Sequence, residues 1–415
     1  MCPGCGKRAV KRNGHRVIRE LDAWRERRVV IQRFVCLSCG RSYSLRGAVR
    51  RRYSEAFAAQ VVRRHVEGES YRVIARDVYR WSGRKISPTS LSQMVLACAA
   101  RCKSAWEMSR ELHPRWEGFL VLDEKMVSVQ GRQQWFYGAF DVTGDVVHWQ
   151  AVSELRVDEA IDFLEQIKDL GYRCGGITTD MDTVLTRAVE EVYTEKPHQY
   201  CLKHALNALD KLLGYKPLTF QHKRTQAKLR EEFDQLRVRK GGSLARAQGT
   251  FLEHWKHTRG ESMQARVVRL LHEACHDILF AKTEVIAAAQ LTHLRQTRSA
   301  VWSRKWKAVR FLERHWDRLM MHHRVKGLPR TNNMAESFNK QLQRRLKTIE
   351  SFQHRSTAIS YMNLLVAYLR FKPYTDCRGS RKHLNGKNRL QAAGVRHLSK
   401  DWLSTCLKHP EFGNR

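Results

Sequence analysis

Two short apolar segments that each end in an aspartate decide the fold of the central region. They are Gly118-Phe119-Leu120-Val121-Leu122-Asp123 and Gly176-Ile177-Thr178-Thr179-Asp180. Apolar runs of this length are typical of buried strands. Between them the pattern predicts two more strands, at 135–140 and 146–152, and an amphipathic helix at 158–170. The region therefore predicts an α/β core of three successive strands, a helix, and a fourth strand parallel to the first.

This order of elements is typical of a ribonuclease H-like core, in which the first and fourth strands are neighbours. Asp123 and Asp180 would then meet at adjacent strand ends, where two carboxylates can share divalent ions about 3.5–4 Å apart. The charge distribution agrees, because residues 117–200 hold 16 acidic and 7 basic residues in a chain that is otherwise strongly basic. The alternative is that each aspartate only caps a strand or a turn.

A helix farther along the chain offers a third carboxylate. It is predicted to begin at Asn332 or Asn333 and to bury Phe338. A second face, at helical spacing, carries one carboxylate and three groups suited to DNA contacts: Glu336, Asn339, Lys340 and Gln343. This face could give Glu336 to a metal ion and Lys340 to the DNA backbone.

Two acidic neighbours of the aspartates are weaker candidates. Glu124 would lie on the opposite face of the strand from Asp123, because successive side chains alternate. Asp182 follows Asp180 by two residues, beyond the strand end. We expect Asp182 to cap the next helix or to support a ligand, with direct ligation as the alternative.

Two Cys-x-x-Cys pairs, each followed by glycine, stand near the N-terminus: Cys2, Cys5, Cys36 and Cys39. This spacing lets one tight turn present both thiolates to a tetrahedral ion, and glycine supplies the positive φ that such a turn needs. We predict a zinc ribbon with one structural Zn²⁺; four unrelated cysteines are the alternative. Residues 1–52 hold 15 Lys or Arg and 3 acids and end in Arg50-Arg51-Arg52, which favours phosphate contacts over a merely solvated basic face.

Three short helices follow, with predicted N-caps at Ser54, Ser70 and Ser87. Gly68 and Gly83 separate them. The pattern fits a helix-turn-helix, in which the third helix would place four side chains near a DNA groove: Thr89, Ser90, Ser92 and Gln93. A three-helix bundle that binds no DNA would show the same pattern.

Composition limits the class of protein. The 415 residues carry 76 Lys or Arg and 41 Asp or Glu, a formal net charge of +35, so a polyanionic partner is expected. A hydrophobic share of 42% is enough for buried cores. We expect no membrane span and no export signal, hence a location in the prokaryotic cytoplasm with the nucleoid. The 11 cysteines then favour reduced thiols and metal ligation over disulfides.

Four blocks of the sequence together resemble a known enzyme family. They are Val-Leu-Asp-Glu at 121–124, Ile-Thr-Thr-Asp-Met-Asp at 177–182, His-Gln-Tyr-Cys-Leu-Lys-His at 198–204, and Leu-Pro-Arg-Thr-Asn-Asn-Met-Ala-Glu-Ser-Phe-Asn-Lys at 328–340. The chain is similar here to the DDE transposases of the Mutator-like group, which includes bacterial insertion-sequence enzymes. The resemblance spans roughly residues 118–375, and the last two blocks are its specific part.

The resemblance implies a catalytic triad of Asp123, Asp180 and Glu336, which would hold two Mg²⁺ or Mn²⁺ ions. It places the family's Cys-x-x-His signature on Cys201 and His204, whose role it leaves open. It also implies a mostly helical insertion between the second aspartate and the glutamate. The predicted domains are a zinc ribbon (1–48), a helix-turn-helix (49–112), the ribonuclease H-like core (113–204 and 328–375), the insertion (205–327) and a basic C-terminal extension (376–415).

The sequence thus predicts a DNA transposase that cleaves transposon ends and transfers the 3′-OH strand into target DNA. Its partners would be terminal inverted repeats and target DNA. Because two transposon ends must be brought together, we expect a homodimer or higher oligomer. One alternative is a nuclease or resolvase with the same core, which would give only products of hydrolysis. The other is a transposon-derived DNA-binding regulator without catalysis.

Overall fold

The structure is a computed structural model of the chain, and it describes residues 1–22, 25–44, 53–215, 263–297, 302–347, 349, 351–399 and 401–408. It is a mixed α/β structure with two sheets and many helices. None of the helices in these ranges is both long enough and apolar enough to cross a bilayer. Arg50, Arg51 and Arg52 lie outside the described residues.

The N-terminal sheet is a long hairpin with a short third strand. Strands β1 (Val10–Asp22) and β2 (Arg25–Cys36) pair antiparallel, and β3 (Ser42–Ser44) pairs with β2. The register shifts between Arg12 and His15, where Gly14 adopts φ 65°. Residues 29–35, which are rich in β-branched and aromatic side chains, lie within β2.

Four helices follow the hairpin, and each begins at a serine N-cap whose side chain accepts a backbone N–H: α1 (Glu55–Glu67), α2 (Tyr71–Ser82), α3 (Pro88–Ala99) and α4 (Ala105–Leu112). The caps of the first three are Ser54, Ser70 and Ser87, as the sequence predicted. The hairpin is joined to these helices, since Ser54 N–H donates to the Leu21 carbonyl at 2.7 Å and Arg84 forms an ion pair with Glu26 at 3.1 Å.

The central sheet has five strands: β4 (Phe119–Val129), β5 (Arg132–Asp141), β6 (Val146–Val152), β7 (Gly176–Thr179) and β8 (His198–Tyr200). Their order is β6-β5-β4-β7-β8. The first three strands are antiparallel, whereas β7 runs parallel to β4, and β8 runs parallel to β7. The first strand of the sheet is thus the direct neighbour of the fourth, as the order of elements predicted.

The α-helices of the described ranges that follow β6 begin with α5 (Val157–Asp169), α6 (Thr183–Val192), α7 (Leu202–Leu213), α8 (Met263–Leu279), α9 (Glu284–Gln296), α10 (Trp302–Arg314), α11 (Trp316–Arg324), α12 (Asn333–Leu346), α13 (Arg355–Phe371) and α14 (Arg389–Ala392). A short helix α15 (Trp402–Cys406) lies near the end of the described chain. Only part of the predicted insertion 205–327 falls within the described residues, and within that part it is helical.

Side chains alternate across the central sheet and fill two different cores. Leu120 and Leu122 pack with α5 and α6 on one face. Val121, Phe136 and Trp149 pack on the other face with α12 and α13, and this second cluster continues without a break into α1–α4. A third cluster joins α7 to the helices α8–α11. The five predicted domain limits stay a prediction.

A buried ion pair ties α13 to the sheet. Arg370 and Asp145 are both fully buried and are joined by two hydrogen bonds, of 2.8 and 2.7 Å. The bidentate geometry satisfies charges that would otherwise be costly to desolvate. Asp141, at the end of β5, is fixed in the same turn, where its carboxylate accepts the N–H of Thr143 and Gly118 at 3.0 Å each. Both aspartates are therefore structural.

Candidate active site

The carboxyl ends of β4 and β7 bring Asp123 and Asp180 to the same edge of the sheet. Val121 and Thr178 are partners in the parallel register, and each aspartate lies two residues beyond its partner. Asp180 comes directly after the last residue of β7. Asp182 caps α6 by accepting the N–H of Val184 at 2.8 Å, and its own N–H donates to Asp180 Oδ1 at 3.0 Å. Asp182 thus orients Asp180, consistent with its predicted capping role.

Helix α12 contacts Asp123 directly. Asn339 Nδ2 donates to Asp123 Oδ2 at 2.7 Å, and Asn332 Nδ2, at the N-cap, lies 3.5 Å from Asp123 Oδ1. Burial, together with the nearby charges of Asp180 and Glu336, raises the pKa of Asp123 to about 7 despite the hydrogen bond from Asn339. Asp180 and Glu336 are therefore both close enough to Asp123 for their charges to act on its carboxylate.

Glu336 lies in the first turn of α12. Lys203 Nζ donates to its carboxylate at 2.7 Å, and Lys340 Nζ is 3.6 Å away. Burial raises the pKa of Glu336, but the hydrogen bond and charge of Lys203 outweigh it, so the pKa lies below the usual value. Glu336 is therefore held ionised beside two aspartates whose pKa values are raised.

The three acids do not form a closed cluster. Across the described ranges, the one group of three or more Cys, His, Asp or Glu ligand atoms within 4.8 Å of one another is the N-terminal cysteine group. Asp123, Asp180 and Glu336 each have a separate donor: Asn339, the Asp182 N–H and Lys203. Asp123 and Glu336 line one cleft of about 570 Å³ with Asn339, Lys340 and Gln343.

Glu124 has a more acidic environment than its position in the sequence suggested. It follows Asp123 on β4, and both residues line the same cleft. Burial raises the pKa of Glu124 to about 8, and the charges of Asp180, Asp123 and Asp182 add to the rise. Its Oε2 is buried and has no hydrogen-bond partner among the described residues. The alternation of side chains along a strand does not indicate that Asp180 and Asp182 lie close enough to raise the pKa of Glu124.

Cys201 and His204 both lie beside the carboxylates. Cys201 Sγ donates to Asn332 Oδ1 at 3.2 Å and accepts the Asn332 N–H at 3.4 Å. Asn332 is the N-cap residue of the helix that carries Glu336. The charge of His204 lowers the pKa values of Asp180 and Glu336. The thiol therefore links the end of β8 to α12, a contact that no spacing in the sequence indicates.

The four N-terminal cysteines converge as predicted and could hold a zinc ion. Cys2 Sγ lies 3.7 Å from Cys39 Sγ, and Cys5 Sγ lies 3.6 Å from Cys36 Sγ. A tetrahedron with Zn–S bonds of about 2.3 Å has S–S edges of about 3.8 Å, so these distances fit. The Gly4 N–H donates to Cys2 Sγ at 3.4 Å and lowers the pKa of this thiol, which favours the thiolate form that binds metal.

The predicted DNA-contacting residues of α3 differ in their exposure. Thr89 and Gln93 are exposed. The hydroxyl of Ser90 forms a hydrogen bond of 2.9 Å with Ser87 Oγ. Ser92 is half-buried, and its side chain is hydrogen-bonded to Tyr71. Lys340, at the mouth of the cleft, has a side chain that is 69% exposed and therefore free to reach a phosphate.

No protein-family model matches the chain, and no curated protein matches it in sequence. One similar solved structure is described as the Drosophila P element transposase strand transfer complex. The two share 10% sequence identity with a TM-score of 0.41, and the match covers 77% of this chain and 93% of that one. A similarity this low does not define the function of the chain.

Proposed function

We propose that this chain is a DDE-type DNA transposase of the Mutator-like group, with a ribonuclease H-like catalytic core. The observations that support the proposal are that Asp123 and Asp180 lie at the ends of two neighbouring parallel strands and that Asp123 and Glu336 line one cleft. The strand order β6-β5-β4-β7-β8 supports the core assignment. The reaction would be cleavage at transposon ends and transfer of the 3′-OH strand to target DNA.

The donor set fits two Mg²⁺ or Mn²⁺ ions. Asp123, Asp180 and Glu336 would supply only oxygen ligands, which these hard ions prefer. Bound there, such ions activate a water or 3′-OH and stabilise the leaving oxygen of an in-line displacement. Burial, followed by the charges of Asp180 and Glu336, raises the pKa of Asp123, and a bound cation would favour its ionised form.

The remaining side chains have positioning roles in this proposal. Asn339 holds Asp123, and Asp182 holds Asp180 through its backbone N–H. Lys203 keeps Glu336 ionised, and a shared cation would replace this contact. Lys340 would bind a phosphate of the DNA strand in the cleft. Cys201, through Asn332, would fix the start of α12.

The N-terminal region would bind transposon ends. The four cysteines would hold one Zn²⁺, and Thr89 and Gln93 on the exposed side of α3 would approach the DNA. Because two ends must be joined together, the active form would be a homodimer or higher oligomer, acting on DNA in the prokaryotic cytoplasm.

The test is a strand-transfer assay with the DNA that flanks the chain's own gene. The purified chain is incubated with end-labelled flanking DNA, a supercoiled target plasmid and Mg²⁺ or Mn²⁺. We expect labelled strands joined to the plasmid. Products of hydrolysis alone would support the nuclease alternative, and bound but uncut DNA would support the regulator. Footprinting on the same DNA should show protected inverted repeats.

A further inference from the structure

The β1–β2 hairpin has one face that is mostly exposed, although Leu21, which lies on this face near the tip, is fully buried. The cross-strand pairs His15–Gln32, Val17–Val30 and Arg19–Arg28 all lie on this face, which we call the open ribbon face. Val17 is 58% exposed and Val30 is 62% exposed. Two directly opposed valines at such exposure form an apolar strip between polar and basic pairs.

The other face is packed. Ile31 is 3% exposed, and Glu20 is buried too. The tip of the hairpin contacts the helices through Ser54 N–H and through Arg84, which donates to the Arg19 carbonyl at 3.2 Å. The cysteine group lies at the opposite end. The hairpin is thus fixed at both ends while its open face stays accessible.

The charges of the hairpin are not balanced within it. All three acids of residues 1–44 have basic partners close to the tip: Glu20 and Asp22 pair with Arg27, at 2.9 and 3.4 Å, and Glu26 pairs with Arg84. In the described part of the chain no acidic side chain pairs with Arg19 or Arg28, which lie directly opposite each other. Like charges in this position destabilise a sheet unless an anion lies over them.

We propose that the open ribbon face docks in the major groove of duplex DNA. The major groove is about 12 Å wide and admits a two-stranded ribbon, whereas the deep, narrow major groove of duplex RNA does not. The three pairs of the open ribbon face, from His15 to Arg19, span about 13 Å along the strand, or about four base pairs of DNA. Arg19 and Arg28 contact phosphates or guanine edges, and Val17 and Val30 contact thymine methyl groups. The inference rests on the DNA-binding part of the proposed function, not on its catalytic part.

The first experiment measures the salt dependence of DNA binding by the full chain with Zn²⁺ and without Mg²⁺. The probe is a labelled mixed-sequence DNA duplex of about three helical turns. A plot of log Kobs against log[salt] has a negative slope, and each lost phosphate contact makes that slope less steep by about 0.9. We therefore expect the slope to become less steep by about 0.9 in R19Q and by about 1.8 in R19Q/R28Q. The matched control is R16Q, on the same strand but on the other face, where its partner is the buried Ile31. Equal effects of R16Q and R19Q would overturn the proposal.

The second experiment tests for contact in the major groove. A duplex enriched by the wild-type chain from a random-sequence DNA pool is compared with the same duplex carrying uracil in place of every thymine. We expect the wild-type chain to bind the uracil duplex several-fold more weakly and V17S/V30S to bind both equally. No difference for the wild-type chain, or tighter binding of duplex RNA, would overturn the proposal. Because binding is measured without cleavage, a failed strand-transfer assay would leave this result interpretable.

Discussion

The two candidate metal sites of this chain are built in opposite ways. In the N-terminal ribbon, four ligand atoms from two local turns lie within 4.8 Å of one another. Around the central cleft, three carboxylates come from positions 123, 180 and 336 of the chain, and each is hydrogen-bonded to a different donor. A single zinc ion would offset the charge of the gathered thiolates, whereas the three carboxylates are each stabilised by a separate donor of the protein. The first site is thus assembled by the spacing of its ligands in the sequence, and the second is assembled by the fold, through the packing of distant elements.

The largest expected effect concerns the site assembled by spacing. C36S should remove the zinc and unfold the hairpin, because binding of a structural Zn²⁺ contributes about 10–16 kcal/mol in zinc-finger peptides. Zinc content and limited proteolysis of the hairpin would measure this loss. The control is C377S, at a half-exposed cysteine outside the group. Retention of stoichiometric zinc by C36S would contradict the assignment of this ligand.

The next effect concerns the site assembled by the fold. D180N should lower strand transfer by at least about 10²–10³-fold while leaving DNA binding intact, because removing one preorganised electrostatic group costs about this much. Cleavage and transfer rates with Mg²⁺ or Mn²⁺ would show it. The matched control is D162N, an exposed aspartate on α5. Unchanged recombination in D180N would mean that the assigned triad is wrong.

A smaller effect is expected where a neighbour only holds a ligand. N339A removes the donor to Asp123 and should weaken metal affinity or activity about 10–100-fold, the usual cost of losing a group that orients a ligand. The rate should be measured across a Mg²⁺ titration, with S337A, an exposed residue of the same helix, as control. An identical Mg²⁺ dependence in N339A and the wild type would count against a metal-binding role for Asp123.

The smallest effect concerns the link between Cys201 and α12. C201A leaves the buried Asn332 without its thiol partner and should lower the free energy of unfolding by about 1–3 kcal/mol and raise the Mg²⁺ requirement. C201S, which keeps a donor and an acceptor, should restore the Mg²⁺ requirement. C174A, at another buried cysteine, should change stability alone. If C201S behaves like C201A, the thiol acts by packing and does not position α12.

Local patterns were enough to predict much of the molecule. Cysteine spacing predicted the N-terminal group, serine N-caps predicted the starts of α1–α3, and short apolar runs ending in Asp123 and Asp180 predicted neighbouring strands. Each of these features depends on interactions between residues close in sequence, or on the side-chain period of one element.

Contacts between distant elements could not be predicted in the same way. Lys203 and Glu336 are 133 residues apart, and so nothing in either segment indicates their pairing. The same holds for Cys201 with Asn332 and for the buried pair of Arg370 and Asp145. Such contacts depend on how helices pack on the sheet, which periodicity leaves undetermined.

The hydrophobic cluster that runs from α1–α4 through α12 and α13 into the sheet has a further consequence. Helices of the proposed end-binding region and the strand that carries Asp123 share one continuous interior, so they cannot rotate independently without exposing apolar surface. In the proposed reaction, the number of base pairs between the bound sequence and the cut phosphate would then be set by the protein. Its DNA substrate should tolerate altered base composition in that interval far better than an altered length.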